Sequence, residues 1–275
     1  MNGKKQWELQ ISEAELSTMT HDLDEAHRET IPSMFSRAGE FSEELADTTG
    51  DSKFLARRRF LLGAAGVAGL GLALAACGSG SSNSAAGSPS SSAAAAAPSS
   101  SGASGGGTYT GDLKVVALAT ALENQAIAAY TAALSAATAG KLGAVPPAVA
   151  TFAKTAMSQH ADHAKAWNAV LQSAGKPTIR GIPLSGQPAV QKALGAVTDV
   201  GGVAKLALQL ENQAAQTYLF AEFNVTSAGG IATAATIAPV EAMHAAILQF
   251  VLGEYPVPDN FLGTDLAANP STLTA

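Results

Sequence analysis

Six residues of metal-ligand type recur along this chain in a matched order. Glu123 sits in Leu122-Glu123-Asn124-Gln125-Ala126 and Glu211 in Leu210-Glu211-Asn212-Gln213-Ala214, and a tyrosine follows each Glu at the same interval, Tyr130 and Tyr218. The first copy is followed by His160-Ala161-Asp162-His163 and the second by Glu241-Ala242-Met243-His244. Residues three apart lie side by side on one helical face, so each pair can offer two donors to a single ion or ion pair. The repetition implies an internal duplication, and two matched half-sites imply one shared metal centre.

The elements that must position these groups are helices. From Asp112 to Gly253 apolar residues recur at intervals of three and four, and no sustained alternation reads as a strand. The pattern predicts helices near 112–138, 147–173, 200–225 and 230–252, broken at Gly140 to Pro146, around Gly175 to Gln187, and at Ala228-Gly229-Gly230. The second connection is the longest and holds a candidate short helix at 188–196. Face analysis places Val116, Thr120, Glu123, Ile127, Tyr130 and Leu134 on one stripe, and Phe152, Ala156, His160, His163, Trp167 and Val170 on another. The third stripe carries Ala204, Leu208, Glu211, Ala215 and Tyr218; the fourth carries Ile237, Glu241, His244, Leu248 and Val251. Asp162 falls with Thr155, Ser158 and Lys165 on the polar side and is left out of the site.

Burying three carboxylates together is costly without cations, since each is desolvated and repels the others. Single interior Glu or His residues are more often hydrogen-bonded structure than ligands, but scarcity weighs against that here. After Cys77 the chain has only three histidines and five glutamates, and all three histidines and three of the glutamates fall on these stripes.

Upstream, composition changes sharply. Arg57-Arg58-Arg59 runs into an uncharged stretch, Phe60 to Ala76, that closes in Leu74-Ala75-Ala76-Cys77. This resembles a twin-arginine export signal ending in a lipobox, with Ala56 where Ser or Thr is usual and Leu62 where Lys is usual. Arg57 and Arg58 would form the export signal, and cleavage would leave a lipidated Cys77 anchored to the outer face of the bacterial cell membrane. The alternative is an uncleaved span, for which the run falls short of the ~20 residues a spanning helix needs. Residues 78–111 are almost entirely Gly, Ser, Ala and Pro, a tether with a reach of roughly 30 Å. Residues 1–53 form a long extension ahead of the arginines, for which a start placed too far upstream would account. There, Asp24-Glu25-Ala26-His27 matches a helicase box without the phosphate-binding loop that box requires. His21 and His27 are six apart, off-register for one face, and are read as solvated. The tail, 256–275, reads as irregular and draped over the bundle end.

The net charge of −6, with no block of Lys and Arg, argues against nucleic acid as a partner. One cysteine excludes a disulfide framework or a cysteine zinc site. No glycine-rich phosphate loop or nucleophile elbow offers a competing enzyme chemistry.

Residues 112 to about 262 resemble the ferritin-like superfamily, especially exported bacterial ferritin-like domain proteins. The resemblance implies an all-α, four-helix bundle with a long crossover between its second and third helices. It also implies a dinuclear iron or manganese centre held by Glu123, Glu211, Glu241, His244 and His163. At the sixth position His160 stands where the family has Glu. A carboxylate can bridge two ions, whereas neutral imidazole binds one and leaves the centre more positive by one charge. An asymmetric pair, a single ion and a lapsed site are therefore all open. Tyr130 and Tyr218 are candidates to hydrogen-bond a ligand or to act as one-electron donors, with core packing as the plainer role. Pro239 either bends the fourth helix or marks a later start. The expected function is a membrane-tethered, extracytoplasmic protein that binds metal ions and oxidises ferrous iron or consumes peroxide or dioxygen. The alternative is a metal-free bundle with a structural or partner-binding role at the envelope.

Overall fold

The computed structural model describes residues 7–48, 108–256 and 262–275. Arg57, Arg58, Cys77 and the tether up to residue 107 lie outside the described residues. Those described form six α-helices: α1 (Glu13–Thr48), α2 (Asp112–Thr138), α3 (Pro147–Ser173), α4 (Gln187–Ala196), α5 (Val200–Asn224) and α6 (Ala228–Leu252). A 3₁₀ turn, Pro270–Thr272, follows near the end of the described residues. The class is all-α, and the four long helices of the repeat stand within a few residues of their expected bounds.

Helices α2 and α3 pack together, as do α5 and α6, and α2 packs on α5. Short connections make each pair antiparallel neighbours. The crossover carries α4 and is pinned by polar side chains. Asn124, from the first repeat, donates to the carbonyls of Ile179 at 3.1 Å and Gly181 at 2.9 Å, while Asn168 accepts from Ile179 N at 2.8 Å. The tail packs back on the crossover and on α5: Ser185 N donates to Thr272 O at 2.9 Å, and Ala268 N to Thr217 Oγ1 at 2.8 Å.

Local capping sets the helix starts. Asp199 accepts from Gly202 N at 2.7 Å to begin α5, and Ser227 Oγ accepts from Gly230 N at 3.1 Å to begin α6. Helix α6 continues through Pro239 instead of starting after it. Pro239 and Ala235, whose carbonyl loses its usual partner, are both exposed, so water can satisfy that group. Among the described residues α6 is the one helix long and apolar enough to cross a membrane, and most of that stretch is buried in the bundle. Its apolarity serves the core.

The main departure from expectation is α1. The N-terminal extension is a long helix that belongs to the same compact unit as residues 107–275 and packs against both α3 and α6. Leu16, Leu23, Met34 and Phe41 are buried on its inner face. Each such side chain contributes about 1.5–3 kcal/mol relative to exposure. Two of its carboxylates cap the helices it covers. Glu13 Oε2 accepts from Ala148 N at 3.2 Å at the start of α3, and Glu44 accepts from the Ser227 hydroxyl and from Gly229 N at 3.3 Å at the start of α6. The reading of His27 as solvated is therefore corrected. His27 is only 3% exposed, because it shares the inner stripe with Leu16, Leu23, Met34 and Phe41; His21, off that stripe, remains exposed. Tyr109, at the end of the tether, is also buried, with its hydroxyl donating to Pro177 O at 2.8 Å.

The approach of α1 to α6 depends on Gly229. A Cβ there would stand 2.5 Å from Phe41 N and 2.9 Å from Arg37 O, both backbone atoms that cannot rotate away. Gly229→Ala is expected to destabilise the chain by about 1–3 kcal/mol through overpacking. Denaturant unfolding measures it, and an unchanged midpoint would show that α1 is not held at this distance.

Candidate metal centre

All six predicted ligands meet in the interior, each 2% exposed or less. They form two overlapping quartets, Glu123, His160, His163 and Glu241, and His160, Glu211, Glu241 and His244. Within each quartet one ligand atom per residue lies within 4.8 Å of the others. The repeat explains the overlap. Glu123 with His163 and Glu211 with His244 are the corresponding outer pairs, while His160 and Glu241 occupy the shared middle from α3 and α6. His160 turns its two nitrogens to different sides: Nδ1 is 2.7 Å from Glu123 Oε2, and Nε2 is 3.2 Å from Glu211 Oε1. His163 Nδ1 lies 2.8 Å from Glu241 Oε1, and His244 Nδ1 lies 3.2 Å from Glu241 Oε2.

The tyrosines exchange between the repeats. Tyr130 from α2 donates to Glu211 Oε1 of α5 at 2.5 Å, and Tyr218 from α5 donates to Glu123 Oε1 of α2. Burial and the adjacent carboxylates hold both hydroxyls well above the ordinary phenol value, so they remain donors. Trp167 donates to Tyr218 Oη at 2.9 Å and stacks on its ring. Phe152 stands edge-on to both Tyr130 and His244. These rings exclude water and fix one oxygen of each outer carboxylate.

Two residues of the site escaped the sequence reading. Gln159 Oε1 accepts from His244 Nε2 at 2.8 Å, and His27 of α1 places its Nε2 3.3 Å from His163 Nε2. Gln159 adjoins His160 in sequence and could have been noticed there. The signal for His27 is its register with Leu16, Leu23 and Phe41, which sets it on the buried stripe. Asp162 is half-buried and belongs to neither quartet.

Burial disfavours the charged forms of the imidazoles, yet the surrounding carboxylates prevail. Glu241 and Glu211 hold His160 well above the ordinary imidazole value, Glu123 helps push His163 up to about 9, and Glu211 raises His244. Burial would raise the acids, but His163 and His160 draw Glu123 down to about 2, and His160 and His244 draw Glu211 well below the carboxylate range. Protonated imidazoles can thus balance Glu123 and Glu211 without any cation. The cost that pointed to metal in the sequence has a second remedy, protons.

Ligand chemistry is nonetheless written into the donor set. His163 Nδ1, Glu211 Oε2 and Glu241 Oε1 are buried without a well-formed hydrogen bond, as is the Gln159 Nε2 donor, although His163 Nδ1 and Glu241 Oε1 stand 2.8 Å apart. These are atoms that a cation in either quartet could engage. Both outer histidines have the remaining ring nitrogen engaged, as metal-bound histidines do.

The sequence profile of the ferritin-like domain family matches residues 111–254. The chain belongs to the ferritin-like domain family. Searches of curated proteins and of solved structures found no significant match. Ferritin-like domains typically bind iron or manganese, and the buried Glu and His residues here are compatible with metal binding.

The charge network predicts a pH dependence for the metal-free ferritin-like domain. Imidazoles raised above 6.5 contribute in full below that pH, and the contribution fades as pH rises through about 9. Glu123, lowered from 4.5, contributes above that value and ceases to do so as pH falls through about 2. The denaturant midpoint of the metal-free chain is therefore expected to fall between pH 6.5 and 9. A flat or rising midpoint across that window would falsify the ion-pair network.

Proposed function

We propose that this chain is a metal-binding ferritin-like protein whose centre takes two iron or manganese ions, one per quartet. The reading is carried by the two overlapping quartets, which the duplication relates and which share His160 and Glu241. Glu123 and His163 would hold one position, Glu211 and His244 the other. Bound iron or manganese would supply electron transfer to dioxygen or peroxide, supporting oxidation of ferrous iron. The protein's own groups set the conditions for this. Tyr130 and Tyr218 orient the outer carboxylates, Phe152 and Trp167 keep bulk water away, and His160 makes the centre one charge more positive than a carboxylate would. Metal binding displaces protons from the imidazoles, so affinity rises with pH where metal-free stability falls.

The full-length chain incubated with ferrous iron or manganese is expected to hold close to stoichiometric metal and to oxidise ferrous iron faster than buffer does. Glu123→Ala is expected to lose most of the metal and that activity. Elemental analysis decides between this reading and a metal-free bundle, which the self-balancing of acids and imidazoles favours; a wild-type chain that stays empty supports the bundle.

The sequence from Arg57 to Cys77 supports export and tethering at the outer face of the cell membrane. Cleavage before Cys77 would remove α1, so the fold described is that of the uncut chain. Cys77→Ser is expected to abolish incorporation of labelled fatty acid; retained label in that variant removes the lipid anchor from the proposal.

A further inference from the structure

Neither the internal repeat nor the family match, which begins at residue 111, accounts for α1. Yet α1 sends a buried ring to the centre. The two halves of the site differ in what supports their outer histidines. His244 is held through Nε2 by Gln159, the residue that precedes His160 on α3. By the repeat, the counterpart of Gln159 is Val240, which precedes Glu241 on α6 and would be expected to serve His163. Valine has no acceptor. Val240 instead packs in the same buried cluster as Leu23 of α1, and one helical turn beyond Leu23 the helix presents His27 to His163. The Nε2 atoms of these rings are 3.3 Å apart, with centroids 5.2 Å apart and planes inclined by 60°.

We propose that His27 is a positioning residue of the metal centre, accepting a hydrogen bond from His163 Nε2 and so aiming His163 Nδ1 at the first quartet. Helix α1 thereby replaces the support that the duplication left out at Val240, and the centre draws on five helices. His27 must present an unprotonated Nε2 and carry its proton on Nδ1. His163 correspondingly keeps its proton on Nε2 and leaves Nδ1, the nitrogen facing Glu123 and Glu241, free to bind.

This inference rests on the metal reading, and cobalt(II) bound to the full-length chain separates the two. Wild type, His27→Leu and His27→Gln are compared by chelator competition, by visible absorption of the cobalt-loaded protein, and by melting of the metal-free protein. His27→Leu is expected to weaken binding of one ion by about 10–100-fold and to shift the cobalt spectrum. His27→Gln, which offers the kind of acceptor that Gln159 provides on the other half, is expected to restore both. Wild-type affinity and spectrum in His27→Leu overturn the role of His27 and leave the metal reading intact. Equal loss in both variants overturns it too, since packing rather than an acceptor is then what His27 provides; a parallel drop in metal-free melting temperature would locate that packing. A wild-type chain that binds no cobalt sinks both.

Discussion

Charge compensation inside an apolar bundle is the constraint on which the rest of this structure depends. Three carboxylates and three imidazoles converge where water is excluded, so each charge there must be met by another inside the bundle. Their mutual attraction fixes the rotation of α2, α3, α5 and α6 about their axes, because turning any one of these helices would strand a charge. The same residues can be balanced by protons or, in the proposed metal-bound form, by cations. What differs between the two is where positive charge resides.

The duplication gives the site its order, and its imperfections give the site its character. Reciprocal tyrosine bonds, Tyr130 to Glu211 and Tyr218 to Glu123, tie each half to the carboxylate of the other. Breaking one half therefore disturbs both. Against this symmetry stand His160 opposite Glu241 and Gln159 opposite Val240. The first difference alters charge in the middle of the centre; the second leaves one outer histidine without support from its own repeat.

Much of this was legible in the sequence. The helix bounds followed from periodicity and glycine breaks, and the convergence of the six Glu and His side chains from the coincidence of repeat, spacing and stripe. Asn124 and Gln125 recurred visibly as well, but their work in the first copy, on the crossover and on Gln187, depends on a connection that has no counterpart in the second. Helix α1 was harder. Its stripe is sparse, running from Leu16 through Leu23 and His27 to Met34 and Phe41, and it is diluted by many charged neighbours. A helix that contributes only a narrow face to a bundle already four helices strong leaves a weak trace in composition. The mutual neutralisation of acids and imidazoles was equally hidden, since spacing gives neighbours and not the direction in which each nitrogen points.

The packing of α1 has a topological consequence. In chain order Phe60 to Ala76 stand between α1 and α2, two parts of one folded unit. If that stretch enters a bilayer with the bundle carried to the far side, α1 stays behind, and every contact from Leu16 to Glu44 must be undone. The helix would then act as a latch whose grip opposes passage across the membrane. Its departure would bare the seam between α3 and α6 and leave His163 facing whatever lies beyond.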